Sequence, residues 1–198
     1  MLQGLSKEKF TKLFRDCLYE IDIEEKYIDN FWLYVQMLFK WNRKINLFSV
    51  SFENLIKYQL CESLLLFKII RDKKRLLDIG SGAGFPGLVA KIYEPDMCVT
   101  LVESNEKKAI FLKFVCAMLK VSCDVRNEKF EKIKFESFYD YVSLRAVSID
   151  SFILKKIREI CDGYFFHFTT MFSLPLNDVK LVYKLPFHHH HVLNVYQL

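Results

Sequence analysis

Residues 76–87 read LLDIGSGAGFPG, and no other stretch constrains the fold as much. Leu76, Leu77 and Ile79 make a short apolar strand. Asp78 interrupts it near its carboxyl end, where a buried strand rarely carries a charge without a purpose. Gly80, Gly82 and Gly84 allow a tight turn through backbone angles closed to other residues. Pro86 suits the first turn of a following helix, because its φ is fixed and it has no N–H to satisfy. Strand, glycine turn and helix together form a cradle for a nucleotide-like ligand.

Two ligands compete for such a cradle. Gly82-Ala-Gly84-Phe-Pro-Gly87 fits G-x-G-x-x-G, the dinucleotide pattern, which is weak on its own. Asp78 to Gly84 also spells D-x-G-x-G-x-G, which resembles the S-adenosylmethionine (SAM) loop of class I methyltransferases. The next strand, Val99-Thr100-Leu101-Val102, ends in Glu103. An acidic residue about 20 positions beyond the glycines is where a ribose-hydroxyl acceptor belongs. A carboxylate accepts from both hydroxyls at once. The competing role for Glu103 is to cap a helix starting near Asn105.

The chain changes character at Arg75. Before it, three helices are expected: Ser6 as N-cap with a helix to about Tyr19, a second from about Glu24 to Trp41, and a third from about Phe52 to Ile70. After it, strands are expected near 75–79, 98–102, 121–126, 139–145, 163–170, 179–184 and 190–197, with helices near 87–93, 105–120 and 149–161. Alternation of this kind predicts a mostly parallel sheet covered on both faces. The last two strands lack an intervening helix and should form an antiparallel hairpin, as in a class I methyltransferase. The expected fold is therefore α/β, a Rossmann-like, mostly parallel seven-stranded sheet with a C-terminal antiparallel hairpin. Residues 1–72 form a helical extension and 73–198 a cofactor-binding domain, packed as one unit.

Composition excludes some classes. With 52% hydrophobic residues in 198, a substantial core is available and disorder is not expected. A net charge of +5 permits a polyanionic partner such as RNA without demanding one. None of the six cysteines shows C-x-x-C spacing or sits near a histidine, so buried, reduced thiols in a cytoplasmic protein are expected, Cys98 and Cys116 lying on apolar faces. No signal peptide or membrane span is expected, since Lys68 and Arg71 close the run Leu64–Phe67.

Lys40-Trp41-Asn42-Arg43-Lys44-Ile45-Asn46-Leu47 ends the second helix and is not obviously required by packing. Joined to LLDIGSGAGFPG, it resembles the RsmG (GidB) family of bacterial 16S rRNA guanine-N7 methyltransferases. The likeness runs through Leu101-Val102-Glu103-Ser104, Lys107-Lys108, Phe111-Leu112 and Arg126 to Leu144-Arg145-Ala146. The resemblance implies SAM as cofactor, held by Asp78, Gly80, Gly82, Phe85, Glu103, Asn127, Glu128 and Arg145. Asn127 and Glu128 would frame the adenine. Arg145 would sit beside both cofactor and target base as the catalytic residue. Asn46 and Arg126 would face the RNA or the guanine; ordinary turn and surface roles are the alternatives for these two.

Three positions depart from the family pattern. Gln59 stands where the family carries a His before Asp-Ser, Thr169-Thr170 where it carries Lys-Gly, and one of His188–His191 where it carries a basic residue. The implied chemistry needs no general base, because guanine N7 carries a lone pair and no proton. Alignment is the main task. The implied partner is 16S rRNA or the small ribosomal subunit, with a monomeric, cytoplasmic enzyme and no bound metal. His167 reads as a sheet residue, and His188–His191 as a loop and strand start. Three other functions stay open: a SAM- and RNA-binding remnant without turnover, a small-molecule methyltransferase, and a nicotinamide-dependent oxidoreductase.

Overall fold

A computed structural model describes residues 6–72, 74–146, 149–170, 179–187 and 191–198. Helix α1 (Lys7–Glu20) starts where the Ser6 hydroxyl accepts from the Lys9 amide at 3.1 Å, and it buries Phe10, Phe14, Cys17 and Leu18. Helix α2 (Ile28–Asn42) begins four residues later than expected from Glu24. Asp22 and Tyr27 both lie in the left-handed region (φ 51° each), which stops a helix, and Arg15 draws Glu25 aside with bonds of 2.6 and 3.0 Å.

The expected continuous third helix is not formed. Its place is taken by a single α-turn, α3 (Phe52–Asn54), a π-helical stretch (Leu55–Cys61) and a 3-10 stretch (Leu64–Lys68). Leu55, Ile56, Leu60, Cys61, Leu64, Leu65 and Leu66 are all buried. The segment also carries Lys57, Gln59, Glu62 and Ser63, so no continuous apolar stripe at helical spacing holds it straight, and its surroundings decide its winding.

The sheet has the order β3-β2-β1-β4-β5-β7-β6. Its strands are β1 (Arg75–Ile79), β2 (Cys98–Val102), β3 (Cys123–Arg126), β4 (Tyr139–Arg145), β5 (Cys161–Thr170), β6 (Val179–Lys184) and β7 (His191–Gln197). The first five are parallel, and β7 runs antiparallel between β5 and β6. Helices α4 (Gly87–Tyr93), α5 (Glu106–Leu119) and α6 (Ser151–Ile160) make three of the crossovers, and a 3-10 turn (Phe130–Lys132) lies in the fourth, between β3 and β4. The mostly parallel seven-stranded sheet with its terminal hairpin is the expected fold. β3 starts two residues late because Lys120 ends α5 with φ 55° and the Val121 amide bonds back to Cys116.

Strand alternation sorts the site from the far core. Leu76 faces one side with α1, α2, α4, α5 and residues 55–66, whereas Leu77 and Ile79 face α6 and Phe130–Ile133. The N-terminal helices therefore share one core with the sheet. Cys98 is exposed, contrary to expectation, because it is the first residue of β2 and pairs with exposed Arg75 at the strand's open end. Among the described residues no helix is long and apolar enough to cross a membrane.

Candidate functional site

The glycine turn lies at the carboxyl end of β1, as the strand–turn–helix pattern requires. Gly80 (φ 71°), Gly82 (φ 57°) and Gly84 (φ 108°) all adopt left-handed backbone. The Gly80 and Ser81 amides donate to the Val102 carbonyl at 2.9 and 3.0 Å, tying the turn to β2. A Cβ at Gly84 would stand 2.8 Å from the Tyr34 hydroxyl, and one at Gly87 would stand 2.5 Å from the Asp78 Cβ. At Gly82 the nearest such neighbour is the Gly80 oxygen, 3.8 Å away. Close packing thus fills the underside of the turn and leaves room above Gly82.

Asp78 is the buried anchor of this turn. One carboxylate oxygen accepts from the Ser143 hydroxyl at 2.8 Å, and the other from the Gly87 amide at 3.1 Å. Burial pushes its pKa up to about 6, opposed by the bonds from Ser143, Ser81 and Gly87. Pro86 stands at the cap position, one residue before the helix, and the first amide of α4 is already bound to a carboxylate.

Glu103 grips the turn from β2. Its carboxylate accepts from the Gly82 amide at 2.8 Å and from the Asn105 amide at 2.7 Å. The cap of α5 is Asn105 itself, whose side chain accepts from the Lys108 amide. A carboxylate offers about four acceptor sites, so two protein bonds leave capacity for a ligand. Asn127, just past β3, donates to the Glu103 and Ser104 carbonyls at 2.8 and 3.2 Å, and exposed Glu128 follows it. Phe85 is buried and packs against Tyr34 with ring centroids 5.8 Å apart.

Arg145 ends β4, on the same face as Ser143. Its Nη2 donates to the Tyr58 carbonyl and lies 3.1 Å from the Glu62 carboxylate, which is fully buried. The guanidinium also lies 5.0 Å from the ring centroid of Phe168 in β5. Burial lowers the Arg145 pKa, while Glu62 and then Asp78 raise it. Its Nη1 is buried with no hydrogen-bond partner among the described residues.

Two expected substrate residues stand apart from this cluster. Arg126 lies at the end of edge strand β3, three strand positions or ~14 Å from β4 at the usual spacing. It bonds Asp124 at 2.7 Å and its guanidinium sits 5.7 Å from the Phe135 ring centroid. Asn46 is exposed in the turn after α2. The turn-holding role belongs to Asn42, which accepts from the Leu47 and Phe48 amides (2.8 and 3.0 Å) and donates to the Phe48 carbonyl at 3.0 Å. Trp41 packs on Phe111 and Phe114 of α5, so the Trp-Asn pair is required by packing after all.

Three residues at the site escaped sequence reasoning: Tyr34, Glu62 and Ser143. A tyrosine and a glutamate inside apolar helical runs were the available signals. The partners that explain them lie 49 and 83 residues away. His167 lies in β5 beside Phe165 (ring centroids 5.9 Å apart), and burial pulls its pKa down to about 4. Residues His188–His190 and Met171–Asp178 lie outside the described residues. Among the described residues no group of three or more His, Cys, Asp or Glu is placed to hold a metal ion.

The fold and this rim define a class I, Rossmann-like methyltransferase scaffold. A solved SAM-dependent methyltransferase from Aquifex aeolicus superposes with a TM-score of 0.58 at 13% identity, covering 72% of this chain and 92% of that one. The family model for rRNA small subunit methyltransferase G matches residues 27–170, and the chain belongs to that family. Proteins named ribosomal RNA small subunit methyltransferase G include one from Syntrophotalea carbinolica, 33% identical over 65% of this chain and 61% of its own length. Another, from Ruthia magnifica, is 33% identical over 72% of this chain and 71% of its own length. The match to the first of these therefore spans less than two thirds of that relative.

Proposed function

We propose that the chain methylates N7 of a guanine in 16S ribosomal RNA, with SAM as methyl donor. One observation carries the reading. Glu103 and the glycine turn follow β2 and β1, Arg145 ends β4, and these three adjacent strands so line one continuous rim ~10 Å across. The residues fit the cofactor on three counts: free acceptor capacity on Glu103, open space above Gly82, and a buried guanidinium edge on Arg145.

The same geometry argues against a dinucleotide. A pyrophosphate needs the amides at the start of the following helix. Here the Gly87 amide is bound to Asp78, and a second anion beside that carboxylate would be repelled.

In this reading Glu103 accepts from the ribose hydroxyls, Asn127 and Glu128 border the adenine, and the Gly80–Gly84 turn with Phe85 passes beneath the cofactor. Asp78 holds the turn from below. SAM supplies a methyl group on a positively charged sulfur. The guanine presents N7 without losing a proton, so the chain provides position rather than a base. Arg145 orients the guanine from its O6 side. Exposed Asn46 and Arg126 meet RNA outside the reacting centre. Residues 73–198 are the cofactor-binding unit, and residues 1–72 are the extension that completes its wall. The proposed setting is a monomer in the cytoplasm acting on rRNA or the small subunit. An unpaired base is favoured, because A-form RNA hides N7 in a deep, narrow groove.

The test is methyl transfer from labelled SAM to hypomethylated 16S rRNA, offered naked and as small subunits, followed by cleavage at 7-methylguanine. Label at one guanine is the expected result. SAM binding with no transfer to either substrate would overturn the reading and favour a remnant or a small-molecule methyltransferase.

A further inference from the structure

Arg145 and Glu62 bring opposite charges into the core at a cost that packing alone does not explain. Glu62 has no exposed surface, and the Arg145 side chain retains 11%. A buried ion pair is often no more stabilising than apolar residues of the same volume. The arrangement is also one-sided. Nη2 is engaged twice, by the Tyr58 carbonyl and by the Glu62 carboxylate, while Nη1 has no partner among the described residues. Phe168 covers the guanidinium at 5.0 Å and limits its swing. An arginine held by one edge presents the other edge at a set angle, because its donors form a rigid planar fork.

We propose that Glu62 is a positioning residue, which fixes Arg145 by its Nη2 edge so that Nη1 meets an acceptor oxygen in the site. This rests on the function proposed above. The π-helical stretch is part of the device. It ends at Cys61, and the Glu62 amide bonds the Lys57 carbonyl five residues back. The Tyr58 carbonyl and the Glu62 carboxylate then face β4 together. The residues come from the N-terminal helical part, so that segment shapes the reacting centre and is more than an RNA-binding appendage. The acceptor is either the carboxylate of the cofactor or O6 of the guanine, two oxygens with the same hydrogen-bonding demand.

The test compares wild type with Glu62→Gln, Glu62→Asp, Arg145→Met and the double variant Glu62→Gln/Arg145→Met. SAM affinity is measured by calorimetry, and turnover is measured at saturating SAM with 16S rRNA. Thermal unfolding identifies folded variants; Glu62→Met stands in should Glu62→Gln not fold, and Glu62→Asp, which keeps the carboxylate, should restore part of the loss. The expected loss is about 100-fold, the scale of a small misplacement at a reacting centre. A loss in SAM affinity assigns the cofactor carboxylate, and a loss in turnover alone assigns guanine O6. In either case the loss disappears in the Arg145→Met background. A folded variant that lacks the carboxylate and keeps wild-type affinity and turnover would overturn the proposal, as would an equal loss in both backgrounds. If the wild type binds SAM but transfers nothing, the function fails while the affinity comparison still decides the role of Glu62. A wild type that binds no SAM removes both.

Discussion

The Tyr34 hydroxyl donates a 2.6 Å hydrogen bond to the Ala83 carbonyl, joining the middle of α2 to the glycine turn. Both groups are buried, and burial holds the Tyr34 pKa well above its ordinary value. Tyr34→Phe removes the donor and leaves a buried carbonyl unmatched. A stability loss of about 1–3 kcal/mol is expected, together with weaker SAM binding. Urea unfolding and calorimetry check this, and unchanged affinity would mean that the turn holds its shape without α2.

The glycines separate packing from ligand space. Gly87→Ala places a methyl 2.5 Å from Asp78 and 2.6 Å from Leu101, so folding should be severely impaired. Gly82→Ala meets no such contact but sits at φ 57°, a strain of about 1–2 kcal/mol. It should fold and lose SAM binding, because its methyl enters the space above the turn. Circular dichroism and SAM titration of the two variants distinguish these effects. A Gly82→Ala protein with normal affinity would place the cofactor elsewhere.

Two buried groups give opposed pH dependence. Asp78 is raised from 3.8 to about 6, so the stability from its protonation is full below pH 3.8 and is lost as pH rises through 6. His167 is lowered from 6.5 to about 4, so its contribution is present above pH 6.5 and is lost as pH falls through 4. Between pH 4 and 6 the two act against each other. Relative to Asp78→Asn, the wild type should gain about 2 kcal/mol between pH 7 and pH 4. Relative to His167→Gln, it should lose stability over the same range. Difference curves from denaturant unfolding at several pH values test both signs.

Arg126 and Arg145 should fail in different ways. Arg126 is partly exposed and pairs with Asp124 at the sheet edge, so Arg126→Ala should raise KM for RNA and leave kcat and SAM affinity near wild type. Arg145→Met removes a buried group at the rim and should lower kcat by about 100-fold in a folded protein, leaving a residual rate that can still be measured. Equal loss of kcat in both would mean that Arg126 reaches the guanine.

Much of the frame was legible because its signals are local. The bounds of β1, β2, β4 and β6 follow from short apolar, β-branched or aromatic runs, and the turn at 80–84 follows from its glycines. The end of α2 was legible only in outline. Trp41 and Asn42 seemed dispensable until α5 and the 43–48 turn were placed against them. The third helix misled for a related reason: a largely apolar run reads as a helix, yet a segment buried for most of its length takes the winding its neighbours impose.

The sequence by itself therefore determined which segments alternate, where the chain turns and which residue types reach the carboxyl rim, since backbone propensity and hydrophobic period are written within a few residues. Only the tertiary structure decided what each buried polar group does. Asp78 supports α4, Asn42 rather than Asn46 holds its turn, Arg126 lies at the edge, and Glu62 faces Arg145 across 83 residues. A buried charge takes its role from whatever stands opposite it, and strand order and helix packing set that partner rather than chain proximity.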